Sequence, residues 1–190
     1  MTITIVHGGQ TGVDRGGHEG AIANDWRVSG YMPSDARDEL GPIPADVARF
    51  LIPHDSADYG VRTTANVQSS SAALIMVRDA NNPRVTPGTT KTIGLAARRG
   101  IPCKIVDPTT DAAQIALWIW SDLLMLRTLM LPLDGLKLDP APMRLVVAGP
   151  RESKWRGARA QTASFLHRIA IAIAEIRTPR QEQDLPGEQR

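Results

Sequence analysis

The sequence predicts an α/β protein with a Rossmann-like, doubly wound and mainly parallel sheet that carries helices on both faces. Short runs of Val, Ile and Leu alternate with helix-like segments along the chain. These runs are almost continuously apolar, which is typical of parallel strands buried on both faces. Gly- or Pro-containing turns follow several of the runs directly, as they do at the ligand-binding edge of doubly wound sheets.

The predicted elements follow one another in a regular order. Strands are predicted at 2–6, 26–31, 73–77, 103–106 and 144–148. Helices are predicted at 13–24, at 90–99, from residue 111 onwards, and in a last segment that ends near residue 176. Two longer segments rich in Pro, Asp and Asn, 31–58 and 79–87, are predicted to be loops after strands.

Length and composition favour one domain over residues 1–178. The chain has 190 residues, of which 42% are hydrophobic and 22% are charged, and both values are ordinary for globular proteins. Residues 179–190 are polar and interrupted by proline, which predicts a disordered tail.

Charge and cysteine content narrow the classes of function. A net charge of +2 and a pI near 9.0 fall well short of the dense cationic surface that nucleic-acid-binding proteins use. No nucleic-acid partner is therefore predicted. The single Cys103 forms no disulfide within the chain, and the N-terminus lacks a signal-peptide pattern, so a cytoplasmic protein is expected.

The most apolar segment, 115–133, is predicted to be a helix that does not cross a membrane. Ser121, Asp122 and Arg127 interrupt it and Pro132 lies near its end, so it falls short of the roughly 20 apolar residues that a spanning helix needs. Two interpretations remain open: burial in a homo-oligomer, a dimer or tetramer, or burial in the core of a monomer.

The strongest local motif is the first turn, HGGQTGVDR at 7–15, which follows the first strand and opens the first helix. Glycines let the backbone approach a ligand, and the amides of a helix start favour phosphate or another oxyanion. Thr11 is predicted either to cap the helix or to donate to the anion. The alternative is a tight turn without a ligand, because neither GxGxxG nor the Walker lysine is present. The predicted contacts are Gly8, Gly9, Gln10, Thr11, Gly12 and Asp14.

Two later glycine-containing turns, each after a predicted strand, could bind an anion in the same way. The second turn, TPGTTKT at 86–92, precedes another helix, although Lys91 is as well explained as a solvated helix residue. The third turn, AGPRESK at 148–154, carries two cations, of which Arg151 can fork onto phosphate; a solvated surface loop is the alternative. Together the turns predict one phosphate cradle. The predicted contacts are Pro87, Gly88, Thr89, Thr90, Lys91, Thr92, Gly149, Arg151, Glu152 and Lys154.

A polar stripe precedes the strand at 73–77. Tyr59, Arg62, Thr63 and Asn66 stand at i, i+3, i+4 and i+7 and share one face of a helix. That face is predicted either to meet the ligand, through Arg62 and Asn66, or to face water.

Neither a metal site nor catalytic residues are predicted. The carboxylates of Asp14, Asp38, Glu39 and Asp58 are scattered in the manner of surface charge, although together they offer the ligands of a divalent ion. No Ser-His-Asp or Cys-His arrangement is visible in the sequence.

In six ordered blocks the chain resembles the molybdenum-carrier family of the SLOG superfamily, a branch of Rossmann-like proteins related to the LOG-type and lysine-decarboxylase-like proteins. The blocks are GGQTGVDR at 8–15, GPIP at 41–44, SADY with RT and NV between 56 and 67, PGTTKT at 87–92, ARRGIPC at 97–103 and AGPRESK at 148–154. The resemblance implies a carrier or sensor that binds molybdenum cofactor, a pterin with a phosphate and a dithiolene-bound metal.

The LOG-type enzymes differ from this chain at the second turn. Their pattern PGGxGTxxE ends on a glutamate that serves N-glycosidic cleavage, and this chain has Leu95 at that position and Thr89 and Lys91 in place of two glycines. Leucine can neither accept a proton nor stabilise an oxocarbenium ion, so that hydrolase activity is disfavoured.

Three functions are therefore expected, in decreasing order of support. The first is binding of a phosphorylated, ring-containing small molecule, with molybdenum cofactor as the candidate. The second is binding or sequestration of a nucleotide-derived signal of the ADP-ribose type. The third is an enzyme that cleaves or transfers a nucleotide or phosphoribosyl group with an acid from the region of Asp14 or Asp58.

Overall fold

The computed structural model describes residues 3–83, 85–122 and 143–177. The predicted tail at 179–190 and residues 123–133 of the apolar segment lie outside the described residues. No helix in the described ranges is long and apolar enough to cross a membrane.

Nine strands are described. In chain order they are β1 (Ile3–Val6), β2 (Arg27–Ser29), β3 (Tyr31–Met32), β4 (Arg37–Asp38), β5 (Gly41–Pro42), β6 (Ile52–Pro53), β7 (Ala72–Met76), β8 (Cys103–Val106) and β9 (Met143–Ala148). Five of them form a parallel sheet in the order β2-β1-β9-β7-β8. Strands β1 and β9 are neighbours in this sheet, and the first and third turns follow them directly. The two turns therefore lie side by side at one edge of the sheet.

The helices are α1 (Val13–Ala23), α2 (Ala45–Ala48), α3 (Tyr59–Gln68), α4 (Pro87–Arg99), α5 (Ala112–Leu117) and α6 (Ala158–Arg177). Alpha-helical turns give way to a π-helical turn at Trp118–Asp122 directly after α5. Most predicted boundaries lie within two residues of these bounds.

Side chains of the central strand β7 alternate between two apolar cores. Leu74 and Met76 pack on one face of the sheet with residues of α1, α5 and α6, whereas Ile75 packs on the other face with residues of α3 and α4. All three side chains are almost fully buried, as strands in the middle of a covered sheet must be. The predicted Rossmann-like sheet with helices on both faces is confirmed.

Two predicted boundaries are wrong. The strand predicted at 26–31 divides at Gly30, whose φ of 140° ends β2 and lets β3 leave the central sheet to pair with β6. The helix predicted from residue 90 begins at Pro87, because the Thr86 side chain accepts a hydrogen bond from the Thr89 amide and Pro87 occupies the first helical position.

The segment 31–58 is wrongly predicted as a plain loop. It contains β3–β6 and α2, and it has a small core of its own in which Met32, Ile43, Val47 and Leu51 are buried together. This core packs beside the first turn: a Cβ atom added to Gly9 would lie 2.9 Å from both Ile43 Cδ1 and Leu51 Cδ1.

Candidate functional site

A cavity of about 480 Å³ opens at the carboxyl ends of β1 and β9. The α3 face forms one wall and the start of α4 another, and the third turn closes a further side. The lining residues are His7, Gly8, Gln10, Asp14, Tyr59, Arg62, Thr63, Asn66, Thr86, Pro87, Gly88, Thr89, Thr92, Val146, Val147, Ala148, Gly149, Arg151 and Lys154.

The cavity joins residues from all three predicted turns and from the polar stripe of α3. Of the predicted contacts, those in the lining are Gly8, Gln10, Asp14, Arg62, Asn66, Pro87, Gly88, Thr89, Thr92, Gly149, Arg151 and Lys154. Those outside the lining are Gly9, Thr11, Gly12, Thr90, Lys91 and Glu152. Lys91 and Thr90 instead line a shallower surface depression on the outer side of α4.

The glycine pattern suggested that the first turn presents a row of free amides. In the structure these amides are not free. The amides of Gly8 and Gln10 donate to Asp14 Oδ2 at 3.0 and 3.1 Å, and the Gly9 amide donates to His7 Nδ1 at 3.0 Å. The Thr11 amide donates to the Gln10 side chain. The turn is therefore held by its own side chains, and it contributes a wall to the cavity.

Asp14 and Arg62 form a buried pair at the base of that wall. Arg62 Nη1 lies 3.4 Å from Asp14 Oδ2, and both side chains are about nine-tenths buried. Burial raises the pKa of Asp14, against the lowering effects of the Arg62 charge and of the Gln10 and Gly8 amides. Arg62 Nε is also buried and has no hydrogen-bond partner among the described residues.

Gly8 is required by the position of Arg62. A Cβ atom at residue 8 would lie 1.5 Å from Arg62 Nη1 and 2.1 Å from its Cζ, so any other residue would displace the guanidinium. The centroid of the Tyr59 ring lies 5.8 Å from Arg62 Cζ. Arg62 thus packs against the backbone of the first turn and lies near Tyr59, which is 43% exposed.

Asn66 contacts the backbone of another element. Its side-chain oxygen accepts from the Tyr31 amide at 2.7 Å and its nitrogen donates to the Tyr31 carbonyl at 3.0 Å. These two hydrogen bonds connect β3 to α3. Asn66 lines the cavity, but both polar atoms of its side chain are already hydrogen-bonded to Tyr31.

The start of α4 offers an open position for an anion in the cavity. Within α4, Thr89 and Thr92 are buried, whereas Gly88 is exposed. A Cβ atom added to Gly88 would have no neighbour closer than 4.0 Å. Pro87 has no N–H group, and the amides of Thr89 and Thr90 donate to the Thr86 side chain and carbonyl. The Gly88 amide is therefore the donor at this helix start that has no partner among the described residues, and the positive end of the helix dipole lies behind it.

The third turn places two cations at the cavity mouth. Arg151 is about half exposed and its Nε lies 3.6 Å from Glu39 Oε2, and Lys154 is exposed. Glu152 points elsewhere, because its carboxylate accepts from the amides of Gly157 and Arg159 at the start of α6.

Glu39 is an organising residue that sequence reasoning missed in this role. It accepts hydrogen bonds from the hydroxyl groups of Thr11 and Ser153 and from the Ser153 amide. These hydrogen bonds hold the pKa of Glu39 below its usual value although burial opposes them. The carboxylate thus joins segment 31–58 to the first and third turns.

Of the two roles predicted for Thr11, the capping of α1 is wrong. Gly12 is the N-cap residue and no side chain caps that helix. The Thr11 hydroxyl instead donates to Glu39 and accepts from the Glu152 amide at 3.2 Å.

His7 and His18 are paired beneath the first turn. His7 Nε2 lies 3.3 Å from His18 Nδ1, and the His18 ring packs edge-on against Phe50. Burial, reinforced by the charges of His18, Arg62 and Arg15, lowers the pKa of His7 to about 3. His7 is therefore neutral at physiological pH.

The candidate metal ligands are used in other ways. Asp38 pairs with Arg15 at 2.6 Å, and Asp58 caps α3 by accepting from the Gly60 amide. Within residues 3–83, 85–122 and 143–177, no three His, Cys, Asp or Glu side chains come together in a group that could hold a metal ion.

Comparison with known proteins gives a consistent assignment. Residues 5–131 match the circularly permutated YpsA SLOG family. A crystal structure of a "Putative molybdenum carrier protein" from Syntrophus aciditrophicus superposes with a TM-score of 0.70, at 24% sequence identity, and covers 88% of this chain and 94% of that chain. No curated protein gives a significant match.

The family match spans the first turn, segment 31–58, α3 and the second turn, which together supply most of the cavity wall. The resemblance inferred from six sequence blocks is thereby confirmed. This chain belongs to the circularly permutated YpsA family of SLOG proteins.

Proposed function

We propose that this protein binds a phosphorylated, ring-containing small molecule and acts as its carrier or sensor. The observation that carries the proposal is that one cavity collects the start of α4, two exposed cations of the third turn and a half-exposed aromatic ring. A helix start with nearby cations favours phosphate, and an exposed ring favours a planar heterocycle.

The phosphate is assigned to the start of α4 and the third turn. Gly88 has open space around it, so a ligand can approach the Gly88 amide at the positive end of α4, and Lys154 lines the same cavity. The first turn is less suited to this role because its amides at Gly8, Gly9 and Gln10 donate to internal acceptors.

Molybdenum cofactor is the ligand that we favour, because it joins a phosphate to a pterin ring and because a protein of the same fold is named as a molybdenum carrier. A nucleotide-derived signal of the ADP-ribose type combines the same two chemical groups and is the alternative. The LOG-type reaction gains no support from the second turn, because Leu95 packs against the apolar core between the sheet and α4.

The proposal is tested on protein purified anaerobically from its own host supplied with molybdate. Native mass spectrometry and elemental analysis would measure the bound mass, its phosphorus and its molybdenum. We expect a bound species that contains phosphorus; molybdenum in the same species identifies the cofactor, and its absence favours the nucleotide. A bound species without phosphorus, or none, would contradict the proposal.

Gly88→Asp tests where the phosphate lies. The added carboxylate has open space and should stabilise the start of α4 by about 0.3–1 kcal/mol through the helix dipole, yet it should repel a bound phosphate. We expect the phosphorus content of the purified protein to fall about tenfold or more. Gly88→Asn, which matches the side chain in size without its charge, is the control and should retain the ligand.

A further inference from the structure

Arg62 is a polar residue of the cavity lining that the proposed phosphate contacts do not use. Its side chain is about 10% exposed, and Nη1 has one hydrogen bond, to Asp14 at 3.4 Å. Nε is buried without a partner among the described residues. Because an unmade hydrogen bond on a buried donor is costly, the guanidinium is incompletely satisfied by the protein itself.

The surroundings of Arg62 suit the edge of a ring better than a second phosphate. Asp14 already places a carboxylate beside the guanidinium, whereas Lys154 and the start of α4 offer open sites for an anion. The Tyr59 ring lies next to Arg62 and is half exposed. A planar ligand ring stacked near Tyr59 would direct one edge at the guanidinium.

An arginine fork distinguishes between ring edges. Two adjacent acceptors, such as the O6 and N7 atoms of guanine, accept a bidentate pair from arginine, whereas the amino group and N7 of adenine present a donor beside an acceptor. Close packing on Gly8 and the burial of nine-tenths of the side chain restrict how the Arg62 guanidinium can turn, and a restricted orientation is what such discrimination requires.

We infer that Arg62 is a specificity-determining residue that selects ligands whose heterocycle carries an oxo group at the edge facing it, and discriminates against the amino counterpart. This inference rests on the proposed function, since it assumes that the phosphate of the same ligand occupies the start of α4. The ligand class is thereby narrowed to phosphorylated oxo-heterocycles of the 6-oxopurine or oxo-pterin type.

Calorimetric titration of the full chain, freed of bound ligand, with IMP and AMP tests the inference, because the two nucleotides differ at the oxo or amino group of the ring. We expect IMP to bind roughly 5- to 150-fold more tightly, the range of one bidentate pair. IMP that binds no more tightly than AMP, including no binding of either at millimolar concentration, would overturn the inference.

Inosine separates this inference from the proposed function. If IMP and AMP bind equally but IMP binds more tightly than inosine, the phosphate site stands and the role of Arg62 fails. If IMP and inosine bind equally, the phosphate site itself fails.

Arg62→Lys supplies the variant test, since it keeps the charge beside Asp14 and removes the fork. We expect the preference for IMP over AMP to fall to about twofold or less, while IMP still binds more tightly than inosine. Arg15→Lys is the matched control, because Arg15 is equally buried but does not line the cavity, and it should retain the preference. The comparison of IMP with AMP on the unmodified chain decides the matter even if Arg62→Lys fails to fold.

Discussion

At the residue scale, His7 illustrates how burial changes the chemistry of one side chain. Its Nδ1 accepts the Gly9 amide, so the ring proton resides on Nε2 and is shared with His18. Protonation of His7 would break the hydrogen bond from Gly9 and place a charge beneath the first turn. Burial, together with the charges of His18, Arg62 and Arg15, lowers the pKa of His7 to about 3, against about 6.5 in the unfolded chain.

The resulting pH dependence of stability has a definite sign. Above pH 6.5 His7 is neutral in both states and contributes no slope. Between pH 6.5 and about 3 the unfolded chain binds a proton that the folded chain excludes, so the free energy of unfolding falls as the pH falls. The slope from this group approaches about 1.4 kcal/mol per pH unit, and burial of His18, whose pKa is also lowered, acts in the same direction.

Urea unfolding of the wild type and of His7→Gln from pH 8 to pH 5 measures this effect. We expect the variant to be less stable at pH 8 and the difference to shrink towards pH 5, since glutamine does not titrate. Parallel stability profiles would contradict the assignment of His7 as a buried neutral histidine.

Sequence reasoning at this scale identified residue types better than it identified contacts. Gly8, Arg62 and Asn66 were predicted near the ligand, and the structure places all three in the cavity lining. The pairing of Arg62 with Asp14, and of Asn66 with the Tyr31 backbone, joins residues 48 and 35 positions apart. No local periodicity encodes such contacts, because they depend on how α3 packs against the sheet.

At the scale of elements, segment 31–58 is fastened to the site by one carboxylate. Glu39 joins it to Thr11 of the first turn and to Ser153 of the third, while the small core around Ile43 and Leu51 packs beside Gly9. The third turn therefore depends for its position on an element that is distant in sequence.

Glu39→Gln is expected to loosen this attachment. The amide cannot pair ionically with Arg151, and one of its two polar atoms donates where Thr11 and Ser153 require an acceptor. Hydrogen–deuterium exchange should show faster exchange at residues 36–43 and 150–154, with β7 unchanged as the internal control. Unchanged exchange in those two segments would show that Glu39 does not hold them together.

The element boundaries show which local signals the prediction used and which it missed. Thr86 followed by Pro87 is a capping pair that marks a helix start, and it would have placed α4 correctly. By contrast, β3 and β6 are two residues long, and their paired residues are 21 positions apart in the sequence. Strands this short contain no run of alternating residues that would predict them. Their stability comes from packing around Met32 and Leu51.

At the scale of the whole molecule, the layered architecture was the most predictable feature. The three inner strands β1, β7 and β9 carry apolar side chains to both faces, as β7 does with Leu74 and Ile75, and that pattern is visible in the sequence. The strand order was not predicted. It depends on β9 inserting between β1 and β7, which brings the first and third turns together although they lie about 140 residues apart in the chain.

The central claim is that residues from these separate turns and from α3 form one binding site for one phosphorylated ligand. Titration of isotopically labelled protein with IMP, followed by amide NMR, tests it most directly. We expect the amides of Gly8, Arg62, Gly88 and Lys154 to shift along one binding curve with a single Kd. Shifts confined to one of these elements, or fitted by different Kd values, would contradict the claim.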